Sequence, residues 1–198
     1  YCIVEYGTEL YIYNSSPFIH YSEFRYNSEN GIRVSGTGTY LWVNNCDIHH
    51  NSRGVEVYAS PSSALFSYNT IRDNTPDGGG EASSSTFSYN TIKNNTVSGD
   101  GHRKGGGIKI DGTDFDHNLI SGNSNSSSNM AAAGLYIYGS GEEMTNNIIF
   151  DNTGPYSVYC DNSASTTFTH NIIADGLTYF KEMNCDDSFT SNVFGGGI

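Results

Sequence analysis

Residues 66–75 read Phe66-Ser-Tyr-Asn69-Thr-Ile71-Arg-Asp-Asn74-Thr, and residues 87–96 read Phe87-Ser-Tyr-Asn90-Thr-Ile92-Lys-Asn-Asn95-Thr. Eight of the ten positions are identical at a separation of 21 residues. Taking Asn69 as an anchor, the corresponding positions along the chain are Cys2, Ser22, Cys46, Asn69, Asn90, Asn118, Asn147, Asn171 and Asn192. An apolar residue stands three before most anchors (Ile19, Val43, Phe66, Phe87, Phe115, Met144, Phe168, Phe189), and an aliphatic or Phe stands two after (Val4, Phe24, Ile48, Ile71, Ile92, Ile120, Ile149, Ile173, Phe194). A third column lies five after: Gly7, Asn27, Asn51, Asn74, Asn95, Asn123, Asn152, Gly176 and Gly197. Columns that hold over nine units define a repeat architecture.

Most units also contain a second apolar pair behind a glycine, as in Gly31-Ile-Arg-Val34, Gly54-Val-Glu-Val57, Gly107-Ile-Lys-Ile110 and Gly134-Leu-Tyr-Ile137. Alternation of this kind is a strand with one buried face. Each unit therefore holds about three short strands, too short to form a sheet alone. Stacked on its copies, each strand finds partners above and below, and the apolar columns close one continuous core. At the corners, Asn tolerates left-handed backbone and offers an amide to the unpaired main chain. A leucine-rich repeat is excluded by the scarcity of Leu and the lack of helical spacing.

The pattern apolar–x–x–Asn–x–Ile/Val, repeated over essentially the whole chain, resembles the right-handed parallel β-helix superfamily of pectate lyases and polygalacturonases. The resemblance implies an all-β, right-handed parallel β-helix of about nine coils with an internal Asn ladder, forming a single domain over residues 1–198. It says little about activity, because sites are grafted onto such scaffolds. The first coil starts near its anchor and the last stops in Gly195-Gly-Gly-Ile198, so the expectation is a segment of a longer chain, with flanking domains, or end-to-end stacking of chains, as partners.

Nine Lys+Arg against 21 Asp+Glu gives a net charge of −12. That excludes a nucleic-acid binder, which needs clustered cations. No run of 18 apolar residues is present, so no helical membrane span is expected. Abundant Asn, Gly, Thr and Tyr suit a secreted or cell-surface β protein. Cys2, Cys46, Cys160 and Cys185 form no C-x-x-C pair, which argues against zinc; three disulfide pairings stay open, and Cys2 and Cys46 read as small buried hydrophobes.

With the inward columns spent on scaffold, chemistry belongs to outward positions and to loops. The Gly-led strands present Tyr11, Arg33, Glu56, Lys109, Tyr136 and Tyr159 in one outward row, and Tyr13, Ser35, Tyr58, Asp111, Tyr138 and Asp161 in the next. In the superfamily resembled, the substrate groove commonly lies on a corresponding face. Exposed Tyr can stack on a sugar ring and hydrogen-bond its hydroxyls, so Tyr11, Arg33, Tyr58, Tyr136, Tyr138 and Tyr159 are the candidate residues for binding a polysaccharide. The alternative is that Tyr stacks on Tyr and only stiffens the sheet.

Two long loops break the period. The one after Asn95 reads TVSGDGHRKGG (96–106) and carries Asp100, His102, Arg103 and Lys104. With Lys109 these cations would draw an anionic group such as a uronate. A lyase needs a cation and a base, which His102, Arg103, Lys104 and Lys109 can supply. A hydrolase needs paired carboxylates, for which Glu56, Glu81, Asp100 and Asp111 are the candidates. The polygalacturonase Asn-Thr-Asp motif is absent, and the one Asp-Asp pair, Asp186-Asp187, reads as a solvated turn. Calcium is a candidate cofactor near Asp111-Gly-Thr-Asp114-Phe-Asp116, although no EF-hand or nonapeptide calcium repeat occurs. The functional expectation is an extracellular domain, lyase- or glycoside hydrolase-like, that acts on or binds an extended polysaccharide; the alternative is a non-catalytic surface spacer or adhesin module.

Overall fold

The computed structural model describes residues 1–38, 40–59, 63–98, 105–127, 131–139, 141–161, 165–175, 180–182 and 188–195. Within these the chain winds as a parallel β-solenoid with three long sheets. The first runs from Ile3–Glu5 through Thr70–Arg72 and Thr91–Lys93 to Val193–Phe194. The second, built from the Gly-led strands, runs from Leu10–Tyr13 through Arg53–Ala59, Gly80–Ser83 and Ile108–Asp111 to Phe180–Glu182. The third runs from Phe18–His20 through Ser63–Ser67 and Ser85–Ser88 to Ser188–Thr190. Among the described residues they hold nine, eight and eight strands. The number of complete coils is thus slightly below the nine counted from the anchors, because the last anchor is followed by only one described strand.

Register follows the repeat. Phe66 pairs with Phe87 and Phe87 with Phe115, while Ile48, Ile71, Ile92 and Ile120 stand in line in the first sheet. The apolar columns form one continuous core whose Phe rings stack nearly parallel, 4.7 and 5.1 Å apart, from Phe66 to Phe115. Fully burying each Phe or Ile contributes about 1.5–3 kcal/mol.

Both Asn columns are buried ladders at the two ends of the first sheet. Asn74 accepts from Asn51 N and Nδ2 at 3.0 and 3.1 Å, and donates to Ile48 O at 3.1 Å and to Asn95 Oδ1 at 2.9 Å. The same pattern recurs at Asn90, Asn95, Asn118, Asn123 and Asn147. One detail differs from expectation: the ladder Asn are not left-handed. The residue before each is, including Tyr26, His50, Tyr68, Asp73, Tyr89, Asn94 and His117, with φ between 50° and 57°. The corner places the left-handed residue outside, where its side chain meets solvent. The next side chain then turns inward, and an amide there can serve both main-chain and neighbouring-amide groups. Left-handed backbone costs a non-Gly residue about 1–2 kcal/mol, which the ladder bonds offset.

The second ladder ends on Asp175, one residue ahead of the Gly176 position of the sequence column. Its carboxylate accepts from Asp151 N, Asn152 N and Asn152 Nδ2 at 2.6, 3.3 and 3.4 Å. The long loops are also partly structured. Thr96–Val97 pairs with Ser124–Asn125 as an added two-stranded rung, and Gly106 and Gly107 donate to Ala132 O and Ala133 O at 2.8 Å. Cys46 and Cys160 are buried, whereas Cys2, expected to be buried, is exposed in the first coil. Burial raises the Cys46 thiol above its ordinary value.

Candidate functional site

The outward rows of the second sheet are in register: Tyr11, Arg33, Glu56, Glu81, Lys109, Tyr136 and Tyr159 follow one another on successive strands. Parallel pairing with single-coil spacing brings together side chains more than twenty residues apart in sequence. At the head of the row a cleft of about 310 Å³ opens among Glu29, Asn30, Arg33, Ser52, Arg53, Glu56 and Asp77. Glu56, buried to 7 % exposure, lies at its centre. It is ion-paired with Arg53 and with Arg33, the latter at 3.1 Å, and accepts from the Tyr58 hydroxyl at 3.2 Å. Arg33 also reaches Glu9 at 3.5 Å, and Asn30 Nδ2 donates to Glu9 Oε2 at 2.6 Å. Although Arg33 Nε is within ion-pair range of Glu56, it is a buried donor with no hydrogen-bond partner among the described residues.

One rung on, Lys109 Nζ sits 2.7 Å from Glu81 Oε1 and 5.2 Å from the centre of the Tyr138 ring. A small cavity lined by Arg53, Asp77, Gly80, Glu81, Gly105 and Lys109 joins this pair to the cleft through their shared Arg53 and Asp77. Beyond it Asp111 is half-buried. Desolvation raises its carboxyl above the ordinary value of 3.8, and Glu81 adds to the rise against the pull of Lys109. Glu142, 1 % exposed, is raised above 4.5, first by burial and further by Asp111, despite accepting from Gly112 N at 2.9 Å and Thr166 Oγ1 at 3.3 Å.

The structure does not treat the expected tyrosines alike. Tyr11, Tyr58 and Tyr138 are exposed by 50, 44 and 36 %. Arg33 lies over the Tyr11 ring at 5.3 Å, and the Tyr11 hydroxyl meets Ser35 Oγ at 2.7 Å. Tyr136 and Tyr159, expected on the open face, are buried. They stack on each other at 5.3 Å and 9° and pack with Ala132 and Tyr156 in a second apolar cluster outside the main core. The Tyr136 hydroxyl donates to buried Asp161 at 2.6 Å. A strand pattern marks both rings as outward, but the lead-in Ala131-Ala-Ala133 is itself buried, so outward is not exposed here. Tyr136→Phe is expected to cost about 1.5–3 kcal/mol, the worth of a hydrogen bond to a charged group, in denaturant unfolding, with no effect on any surface ligand.

His102, Arg103, Lys104 and Asp100 lie outside the described residues. Lys109, Glu56 and Asp111 lie on one face, joined by Asp77 and by Arg53 and Glu142, the last two not singled out in the sequence. Arg53 directly precedes the column glycine Gly54 and pairs in register with Asn30, and Glu142 follows the glycines 139 and 141, one coil before Thr166. Among the described residues no group of three or more His, Cys, Asp or Glu is arranged to hold a metal ion. Asp114 and Asp116, weighed for calcium, instead accept from Glu143 N and from Thr145, Asn146 and His117 at 2.8–3.1 Å.

The sequence matches the family model for the right handed beta helix region over residues 2–127. The chain is a right-handed β-helix protein. No curated protein matches it. In this β-helix no helix among the described residues is long and apolar enough to cross a membrane.

The raised carboxyls of the β-helix carry a stability prediction. A carboxyl whose folded-state value lies above its unfolded value contributes stability that is complete below the unfolded value and lost as pH rises through the folded one. As the pH rises from the ordinary carboxylate range through the raised values of Asp111 and Glu142, the parent should lose the stability these two groups contribute. Glu142→Gln should flatten that part of the profile and leave the variant relatively more stable at the alkaline end. Thermal unfolding across pH checks both.

Proposed function

We propose that this β-helix is an extracellular carbohydrate-active domain that engages an extended polysaccharide along the outward face of its second sheet. The observation that carries the reading is the combination, on one face, of exposed Tyr11, Tyr58 and Tyr138 with a polar cleft in which Arg33 pairs with Glu9 and Glu56 beside the Tyr11 ring. Rings with one face covered by a cation keep another for a sugar ring. Alternating carboxylates and guanidinium groups match rows of hydroxyls, which both donate and accept. The absence of contiguous positive charge among the described members of the row suits a neutral or weakly charged glycan more than a polyuronate.

For catalysis, the described residues favour hydrolysis over elimination. Asp111, raised by burial, is the candidate acid, and Glu81, ion-paired with Lys109, is the candidate base. The proton of Asp111 would pass to the glycosidic oxygen as its bond to the anomeric carbon breaks. Water would supply the new oxygen on that carbon and give its proton to Glu81.

A second reading, a non-catalytic glycan-binding or spacer module, is favoured by a separate observation: Arg33, Arg53 and Lys109 already have carboxylate partners.

A panel of neutral and acidic polysaccharides separates the readings, monitored by affinity electrophoresis, new reducing ends and ultraviolet absorbance of unsaturated uronate. Reducing ends without absorbance support hydrolysis, binding without either supports the module, and neither binding nor products rejects both. Tyr11→Ala and Tyr58→Ala should each weaken binding several-fold to about tenfold, the equivalent of about 0.5–1.5 kcal/mol for an aromatic contact. Tyr159→Ala should act on stability alone.

A further inference from the structure

Glu142 is a buried carboxyl group to which the repeat pattern assigns no role. It comes from the turn that leads from the second sheet to the third, and reaches back one coil to the end of the strand Ile108–Asp111. A Cβ built on Gly139 would meet both Asp111 Oδ1 and Glu142 Oε1, the farther of the two at 2.9 Å. The two carboxyl groups therefore converge on the space that the missing side chain leaves open, with φ of +136° at this glycine.

The groups facing the pair are few. Glu142 Oε1 receives Gly112 N from the preceding coil and Oε2 receives Thr166 Oγ1 from the following one. Asp111 is faced along its own strand by Lys109 and from the preceding strand by Glu81. No cation is bonded to Glu142 among the described residues, and Lys109 is engaged by Glu81 at 2.7 Å. Two carboxylates this close in a desolvated corner cannot both ionise cheaply, and the proton belongs to the pair.

We propose that Asp111 and Glu142 hold one proton between them after the exposed carboxylates have ionised, that Asp111 presents it to the outward face of the second sheet, and that Glu142 is the positioning residue for the acid of the site. The catalytic purpose rests on the hydrolase reading above; the shared proton does not. Burial raises both groups, in keeping with the geometry. The arrangement also explains why an acid on this sheet needs a corner residue: Asp111 alone is half-exposed and close to Lys109, which favours its charged form.

The shared proton is read without a substrate. Carboxyl carbon-13 resonances of the whole chain, followed through a pH titration, should show Asp111 and Glu142 moving together in two steps, the upper one above the ordinary carboxylate range. In Glu142→Gln the upper step should vanish and Asp111 should titrate once, at lower pH. In Thr166→Ala, which removes a donor that favours the charged form of Glu142, the upper step should move higher; this second variant decides the matter if the first does not fold. A single Asp111 titration in the ordinary range in the parent, or one unmoved by either substitution, overturns the proposal. If the panel above yields cleavage, Glu142→Gln should also move the alkaline limb of its pH profile to lower pH. Two coupled steps with no cleavage or binding of any glycan would leave the proton pair standing and reject the polysaccharide reading instead.

Discussion

Asn95→Ala should destabilise the protein by about 3–5 kcal/mol, the sum of several buried groups left unpaired at about 1–3 kcal/mol each. The side chain is wholly buried. Its Oδ1 receives Asn74 N at 3.1 Å and Asn74 Nδ2 at 2.9 Å, and its Nδ2 donates to Ile71 O and to Asn123 Oδ1 at 3.0 Å. Alanine leaves the Asn74 main-chain N–H and the amide groups of Asn74 and Asn123 short of a partner in a buried corner, and removes the bond to Ile71 O. Against a typical total of about 5–15 kcal/mol, that is enough to populate unfolded chain at physiological temperature. Thr70→Ala, on the outward side of the neighbouring strand, should change stability by no more than about 0.5 kcal/mol. Denaturant midpoints of the two variants make the comparison. Equal costs would mean that the ladder adds nothing beyond ordinary sheet pairing. Asn95→Asp is a finer probe: it keeps an acceptor and regains a donor only when protonated, so its deficit should shrink as the pH is lowered.

Gly79→Ala should cost at least about 3 kcal/mol, at or beyond the upper end for overpacking a close-packed site. A Cβ there would lie inside the van der Waals radius of Gly107 O on the next coil, with Asn95 Nδ2 at 3.1 Å on the other side. Both neighbours are pinned: Gly79 N donates to Gly106 O at 3.0 Å, and the Asn95 amide belongs to the ladder. The conflict recurs down the column, where Gly54 faces Gly79 O, Gly107 faces Gly134 O and Gly134 faces Ser157 O. Gly31, Gly54, Gly79, Gly107 and Gly134, which lead five strands of the second sheet, are required because backbone from the next coil occupies the place of their side chains. Lower thermal stability with retained β spectrum is the expected result. A Gly79→Ala protein as stable as the parent would mean that coil spacing yields easily at this corner, and that the column marks no steric limit.

Much of this molecule was legible in its sequence because a solenoid repeats its physics. Successive coils bury an apolar pair and, from Asn69 on, an Asn at fixed offsets, so Phe66, Ile71 and Asn69 report on the same environments as Phe87, Ile92 and Asn90, and register follows from the columns. The left-handed residue was misplaced by one position, since composition shows that Asn tolerates such backbone but not which side of the corner it occupies. Tyr68 and Tyr89 take that conformation instead and stack outside at 5.0 Å.

The candidate site was less legible. Alternation correctly brought Arg33, Glu56 and Lys109 to one face. It could not say which outward residues meet solvent: Tyr136 and Tyr159 alternate as Tyr11 does, yet are covered, because cover comes from segments that obey no period. Nor could it find Arg53 or Glu142, which reach the site across a coil boundary and from a turn.

The sequence alone determined the parallel solenoid, its inward columns and the register of its strands, because these depend on contacts between equivalent positions. Only the tertiary structure decided which members of the outward rows are exposed, which charges neutralise one another, and that Asp111 and Glu142 both border Gly139. Those depend on where non-repeating turns lay their side chains, and a repeat is silent about the residues that depart from it.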